Sequence, residues 1–437
     1  MRTRWPLGLP IALLLLANVA VVACGETAAP SPTALQTPAR VTAARAAVTP
    51  QEEVSTGSAS LQLDTRTLVS TPLQVPAQFR QGPFARPREM QLASGCQIGV
   101  FAADLPGVRT LVVSPAGDLY ATLPELGTIV GLPDGDRDGV VDSVETVASD
   151  LDCPYGMVFR DGSLYVALSR QVVRYAYVPG EFAVRSPEVI VDGLPASRCR
   201  AHHYRGLAID KARMLYVSLG SSCNVCIEPD SRRGGVMQYR LDGTGGRQYA
   251  TGLRNPVALT INPATGRLWT AVNERDLLGD DIPPDMVTAV EDGAHYGWPF
   301  CYQRVDGSWA VDDRVPARNP SCTDLTTPTV PVQAHSAPLG LAFYGGEQFP
   351  QAYRGDLFVG YHGSWNRTEA TGYKVVRIRF INGQPQPPLD FGRGWLTGPR
   401  GPADAWGRPV EPAVGGDGSL YVTDDHTNAI YRIRFVG

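Results

Sequence analysis

The stretch that decides the fold is Gly156–Leu168, GMVFRDGSLYVAL: an apolar run, a polar turn at Asp161-Gly162, and a second run opening on Leu164-Tyr165. By itself it reads as a β-hairpin, because β-branched and aromatic residues flank an Asp-Gly turn. Its recurrence gives it architectural meaning. The same figure returns as RTLVVSPAGDLYATL (109–123), GLAIDKARMLYVSLG (206–220), ALTINPATGRLWTAV (258–272), the longer GLAFYGGEQFPQAYRGDLFVGY (340–361) and PAVGGDGSLYVTD (412–424). The second runs open on Leu119-Tyr120, Leu164-Tyr165, Leu215-Tyr216, Leu268-Trp269, Leu357-Phe358 and Leu420-Tyr421. Most spacings match a propeller blade of about 40–50 residues. Six copies predict an all-β fold, a six-bladed β-propeller with four-stranded antiparallel blades. A β-sandwich or two separate β domains is the alternative, and neither accounts for six similar hairpins.

The N-terminus reads as a targeting segment. Residues 1–23 carry Arg2 and Arg4, then an apolar stretch interrupted by Pro10 and Asn18, which suits a signal peptide better than a membrane span. The ending Val21-Val22-Ala23-Cys24 resembles a bacterial lipobox, in which the cysteine is lipidated; a plain signal peptide with a chance cysteine is the alternative. Residues 24–80, rich in Pro, Ala, Thr and Ser, read as a lipid-anchored tether, and the propeller is expected over 95–437. The expected location is therefore outside the cell membrane, anchored to the outer face of a bacterial membrane or in the periplasm, with lipid as the only membrane contact.

The formal net charge is −4, and removing two arginines with the signal takes it to −6. Such a mild acidic balance gives no electrostatic case for nucleic acid. Eight cysteines suit an oxidising compartment. Cys301 and Cys322 flank a polar loop and suggest a disulfide. Cys223-Asn-Val-Cys226 reads as a structural disulfide; zinc lacks a second such pair, and Ile227 stands where c-type haem attachment needs histidine. Pairing among the others is open, with one thiol left over.

In a propeller, residues just before each first hairpin strand and just after each second one share a face. The positions before the strands hold Arg109, Cys153-Pro154-Tyr155, His202-His203-Tyr204-Arg205, Arg254-Asn255-Pro256, His335-Ser336 and Gly407-Arg408-Pro409. Those after include Asn273-Glu274-Arg275-Asp276, His362 to Arg367, and Asp424-Asp425-His426. Five of the six histidines fall on this face. If Arg109, Arg254, Arg275, Arg367 and Arg408 converge, they call for a small polyanion carrying carboxylates or phosphates. The alternative is that each arginine pairs with a local acid.

Two acidic segments suggest calcium, a hard cation that takes oxygen ligands. NERDLLGDDIPPD (273–285) brings five acids beside the shared face; a solvated acidic loop is the ordinary alternative. DGDRDGVVDSVE (134–145) fits the D-x-D-x-D-G-x5-E loop, with Asp134, Asp136, Asp138, Asp142 and Glu145 as ligands and Gly139 at the sharp turn. It is expected between blades, in a structural role.

GSSCNVC, GLRNP, NERDLLGDD with HYGWP, HGSWNR with TGYKVVRIRF, and GRPVEPAVGGDGSLYVTDD together resemble the sorbosone dehydrogenase branch of the soluble quinoprotein glucose dehydrogenase family, over roughly residues 95–437. The resemblance implies a six-bladed propeller that holds pyrroloquinoline quinone (PQQ), a tricarboxylate, with Ca2+. It implies oxidation of the anomeric carbon of an aldose or related sugar to a lactone, and electron transfer to an external acceptor such as a cytochrome or quinone. The family's base, five residues before an inner-strand leucine, matches His202 ahead of Leu207, and His203 falls on a position without a proton-transfer role. Arg254, Asn255 and Arg408, with Arg367 less directly, match cofactor contacts; Arg109, Arg205 and Arg275 join them from the shared face. Asp280 and Asp281, with Glu274, match the calcium loop, although glucose dehydrogenases carry Gly-Pro there. Arginine near His202 is expected to favour its neutral, basic form. Two other functions compete: a sugar-binding propeller without turnover, and a calcium-dependent lactonase.

Overall fold

A computed structural model describes residues 67–196, 199, 202, 204–315 and 320–437. The expected signal segment, Cys24, most of the tether and His203 lie outside the described residues.

Among the described residues, six antiparallel sheets of four or more strands form the blades, and two two-stranded hairpins accompany them. Blade one comprises Leu111–Val113, Leu119–Leu123, Thr128–Leu132 and Glu145–Ala148; blade two comprises Met157–Arg160, Ser163–Ala167, Val172–Ala176 and Glu188–Val191. Blade three runs through Leu207–Ile209, Met214–Leu219, Gly235–Arg240 and Arg247–Thr251. Blade four has Pro256–Ile261, Leu268–Val272, Asp285–Val290 and Val330–Val332. The first strand of each blade touches the first strand of the next, and the circuit closes from blade six to blade one. This is the expected six-bladed propeller, with the quoted hairpins innermost.

Both closing blades borrow strands from the N-terminal side. Blade six joins Pro409–Val414, Leu420–Asp424 and Ala429–Phe435 to Cys96–Ala102. Blade five extends Pro338–Phe343, Leu357–Tyr361, Lys374–Ile378 and Leu389–Arg393 with Glu89–Ala93 and then Leu68–Pro72. Residues 68–72, expected within the tether, thus pair as an edge strand. They lack strong apolar alternation, so composition hid them.

The repeated Leu-aromatic pair explains how the blades pack. Successive strand residues point to opposite faces, so one pair serves two interfaces. Leu164 packs toward blade one while Tyr165 packs toward blade three. Leu215 and Tyr216 divide the same way, as do Leu268 and Trp269, Leu357 and Phe358, Leu420 and Tyr421, and Leu119 and Tyr120. Six interblade clusters result in place of one central core. A seventh, Tyr155, Val257, Leu339 and Val410 with Tyr204, plugs the axis.

Three disulfides tie loops: Cys153–Cys199, Cys223–Cys226 and Cys301–Cys322. The second and third were expected. Cys96 is the remaining thiol of the described residues, buried between blades five and six and pushed up to about 12 by burial.

Asp134–Glu145 lies inside blade one rather than between blades, linking its third and fourth strands. It nevertheless packs on blade six. Gly139 has φ +88°, in the left-handed region that favours glycine, and a Cβ there would lie 1.8 Å from Arg432 Nη1, so a side chain would have to displace that guanidinium. Asp134, Asp136 and Asp138 bring carboxylate oxygens within 4.8 Å of one another. Asp142 instead accepts the Gly135 amide at 2.6 Å, and Glu145 accepts the Ser143 hydroxyl at 2.7 Å.

Because each aromatic of the pair fills a blade interface, Tyr165→Ala is expected to destabilise the fold by about 3–5 kcal/mol, the usual cost of truncating a buried aromatic. Urea unfolding followed by fluorescence measures it, and a loss under about 1 kcal/mol would contradict this packing account.

Candidate active site

The loops before the first strands and after the second strands do meet on one face. They enclose a cavity of about 350 Å³, within the usual range for a small-molecule site. Arg109, His202, Tyr204, Arg254, Asn255, His335 and Arg408 come from the segments before the strands. Asn273, Glu274, Asp276, His362 and Asp425 follow the second strands, and Trp365 and Asn366 complete the rim.

The floor is aromatic. Tyr204 stacks on Tyr155 with centroids 4.4 Å apart, and the Arg109 guanidinium lies 4.3 Å from the Tyr204 ring centre. Arg109 is ion-paired with Asp425, which also bonds His362 Nε2 at 2.8 Å. Burial works against the Asp425 charge, but the Arg109 guanidinium and the hydrogen bond from His362 hold its carboxyl well below the usual carboxylate range, whereas burial lowers His362 to about 4. His362 is therefore neutral and Asp425 ionised near neutral pH.

Arg254 forms the facing wall. It donates to the Asn224 carbonyl (3.1 Å) and side chain (3.0 Å), to the Glu274 and Asn273 carbonyls (2.6 and 3.3 Å), and to Asp276 (2.9 Å). Those bonds engage all five of its N–H groups. Arg408 is held by the carbonyls of His362 (3.1 Å) and Gly363 (2.9 Å).

Backbone constraints fix these positions. A Cβ on Gly220 would come within 2.4 Å of Asn255 Oδ1 and 2.7 Å of the His202 carbonyl, so the chain passes too closely for a side chain. His335 and Ala337 both have positive φ, +65° and +52°, a costly geometry for non-glycine residues. The buried Asp285 holds that turn, accepting the Ala337 amide (2.9 Å) and the Glu274 amide (2.8 Å). Burial pushes Asp285 up to about 7.

Other expected site residues lie elsewhere. Arg205 is fully buried behind the wall, donating to the Pro195 carbonyl at 2.5 Å and the Ser169 carbonyl at 3.4 Å, so it joins blade three to blade two. Arg275 is also fully buried, paired with Glu274 (3.1 Å) and Asp312 (3.0 Å). Arg367 contacts Asp281 (3.0 Å) and the Asp280 carbonyl, while the Asp280 carboxylate accepts the Thr368 amide at 3.1 Å. Neither Asp280, Asp281 nor Arg367 lines the cavity; Glu274 does, with its carboxylate paired to Arg275. Three of the five arginines expected to converge do so, and two of those three are matched by local acids. Tyr204, Asp285, His362 and Asp425 were given no role from the sequence. Their signal was register: each sits at an end of an innermost or neighbouring strand.

Two buried polar atoms of the cavity residues, Arg109 Nε and Asn366 Oδ1, have no hydrogen-bond partner among the described residues. Buried polar atoms are ordinarily satisfied, so this basin fits a polar ligand bearing both acceptors and donors. Beyond the aromatic floor lies an axial chamber of about 40 Å³ lined by Thr110, Tyr155, Gly156, Gly206 and Glu411, among others.

The fold and cavity define a closed six-bladed propeller with a polar ligand site on its axis. The chain belongs to the TrAA12-like family, whose description matches residues 90–435. It is 29% identical over 303 residues to an uncharacterized protein of Borreliella burgdorferi, covering 67% of this chain and 78% of that one. It is 24% identical to the pyrroloquinoline quinone-dependent pyranose dehydrogenase of Coprinopsis cinerea, across 79% of this chain but only 54% of that enzyme, about half its length. The structure of the PQQ domain of the Coprinopsis pyranose dehydrogenase superposes with a TM-score of 0.68 at 21% identity, covering 83% of this chain and 98% of that domain. A calcium structure of a Trichoderma reesei AA12 enzyme gives 0.68 at 22% identity, covering 86% and 98%. The sequence resemblance holds at the level of PQQ-dependent sugar dehydrogenases.

Glu411 supplies a pH test of the axis. Its Oε2 is buried without a partner, and burial raises it from 4.5 to about 8. The unfolded chain loses this proton near 4.5, so this residue makes folded stability fall as pH rises from there to about 8. Glu411→Gln is expected to remove that slope and raise Tm at pH 8 by on the order of 1–3 °C relative to pH 4.5. Parallel pH dependence in both proteins would place the charge elsewhere.

Proposed function

We propose that the chain is a PQQ-dependent sugar dehydrogenase of the aldose or sorbosone type. It oxidises the anomeric carbon of a sugar to a lactone and passes electrons to a separate carrier, a cytochrome or quinone. The observation that carries this reading is the cavity where His202, Asn255, Arg109 and Arg408 meet over an aromatic floor, in a chain of this family. Bound there, PQQ supplies a two-electron acceptor for hydride. Arg109 and Arg408, with Asn255 and Asn366, would hold its polar groups, and Arg254 contributes a fixed positive charge from behind. His202 takes the proton of the anomeric hydroxyl as general base. Loss of that proton from the hydroxyl oxygen and of hydride from the carbon that bears it leaves the lactone carbonyl. Tyr204 and Tyr155 close the floor against water from the axis.

The residues matched to calcium here, Asp280 and Asp281, are engaged outside the cavity with Arg367 and Thr368. Their side chains, as placed, do not form a calcium site facing the cavity.

Reconstitution with PQQ, followed by dye reduction across a panel of aldoses, tests the function. Quinone absorbance with reduction by at least one sugar is expected. His202→Ala is expected to lower kcat by about 10²–10⁴-fold while keeping cofactor absorbance. Absence of both absorbance and reduction would sink the reading, and lactone hydrolysis with calcium alone would favour the lactonase.

The loop at Asp134–Glu145 is proposed to bind calcium structurally, supported by the three gathered carboxylates and by the buried, unpartnered Asp134 Oδ1. Millimolar calcium is expected to raise Tm in the wild type and not in Asp136→Asn/Asp138→Asn, as RT ln(1 + [L]/Kd) requires; equal shifts would remove the site. Export is likewise proposed, supported by three disulfides among the described residues, and lipid anchoring at Cys24 rests on the lipobox-like sequence alone.

A further inference from the structure

Among the described residues three histidines line the cavity, and their partners fix which ring nitrogen of each carries hydrogen. His335 Nε2 lies 2.8 Å from the Gly279 carbonyl. A carbonyl only accepts, so His335 bears its hydrogen on Nε2. His362 is neutral, with Nε2 2.8 Å from the ionised Asp425, and the same argument puts its hydrogen on Nε2.

His202 is reversed. Its Nδ1 lies 2.8 Å from Ser221 Oγ, and Ser221 is fully buried. A hydroxyl has one hydrogen to give, and Ser221 donates it to the Cys223 carbonyl at 2.7 Å. Toward His202 the hydroxyl is therefore an acceptor, which requires hydrogen on Nδ1. The neutral ring then carries its lone pair on Nε2.

We propose that Ser221 is a positioning residue that holds His202 in its Nδ1–H tautomer, so that Nε2 is the proton-accepting atom. Ser221 acts through the Cys223 carbonyl, which fixes its hydroxyl. The Cys223–Cys226 disulfide closes that turn. Asn224, inside it, anchors the turn to the opposite wall through the Asp276 amide (2.8 Å) and Arg254 (3.0 Å). The Ser221 amide donates to the Arg254 carbonyl at 2.8 Å. Base and wall arginine thus share one disulfide-closed support. The partner at Nδ1 is a neutral hydroxyl, which orients the ring without adding the charge that would favour imidazolium.

The role of His202 as base rests on the dehydrogenase reading; its tautomer does not. Long-range ¹H–¹⁵N NMR of the cofactor-free protein reads the tautomer directly, and the His202→Asn spectrum assigns the signals. Wild type is expected to show the Nδ1–H pattern, Ser221→Ala to lose it, and Ser221→Thr to restore it. A wild-type Nε2–H pattern, or one unchanged in Ser221→Ala, overturns the proposal. The wild-type spectrum decides the tautomer even if Ser221→Ala does not fold. In the reconstituted enzyme, Ser221→Ala is expected to lower kcat roughly tenfold or more, with KM within about twofold, and Ser221→Thr to recover it. An undiminished kcat, or a loss not recovered by threonine, counts against positioning. Should the tautomers behave as expected and no sugar be oxidised, the assignment stands and the dehydrogenase reading fails.

Discussion

Alternation along a strand is the constraint on which this structure depends. A blade packed between two others must be apolar on both faces, and one Leu-aromatic pair in its second strand meets that need, the leucine facing the preceding blade and the aromatic the following one. Six such pairs place six hydrophobic clusters around the ring. The axis is left to smaller packing and to polar groups. The cavity is thus a product of the fold's geometry: inner strands that converge but cannot fill their own centre.

What occupies that centre is charge in balance. Arg109 answers Asp425, Arg254 answers Asp276, and the buried Arg275 is shared between Glu274 and Asp312. A buried pair is costly to break, because removing one partner strands the other. These pairs therefore fix the cavity wall and leave unfilled hydrogen-bonding capacity at the Arg109 Nε and the Asn366 Oδ1. A wall of this kind keeps its shape before any ligand arrives, which lowers the ordering cost of binding.

The repeat made the fold legible because its period and its paired residues are local. It made the shared face legible too: Arg109, His202, Arg254, Asn255 and Arg408 were located by counting from inner strands, and all line the cavity. Sequence could not separate Tyr204 from Arg205, adjacent residues of which one faces the cavity and the other is buried against carbonyls of blade two. Nor could it show that Arg275 finds Asp312, thirty-seven positions away. Those outcomes depend on how loops from different blades cross. The edge strand at 68–72 was hidden for a related reason: its pairing is with residues 89–93, and its own pattern is too polar to announce it.

The ring's closure sets an order of events during folding. Cys96–Ala102 pairs with Ala429–Phe435, and Glu89–Ala93 pairs with Leu389–Arg393. The earliest-synthesised strands of the propeller are thus the last to find their partners, waiting for some three hundred residues to be made. Meanwhile the apolar faces of blade one and of the unfinished seam stay uncovered. Contacts of such sequence separation fold slowly and expose aggregation-prone surface. A truncation near the C-terminus would therefore remove the strand that holds Cys96–Ala102 in blade six, and would leave the arginine and histidine wall on a ring that cannot shut.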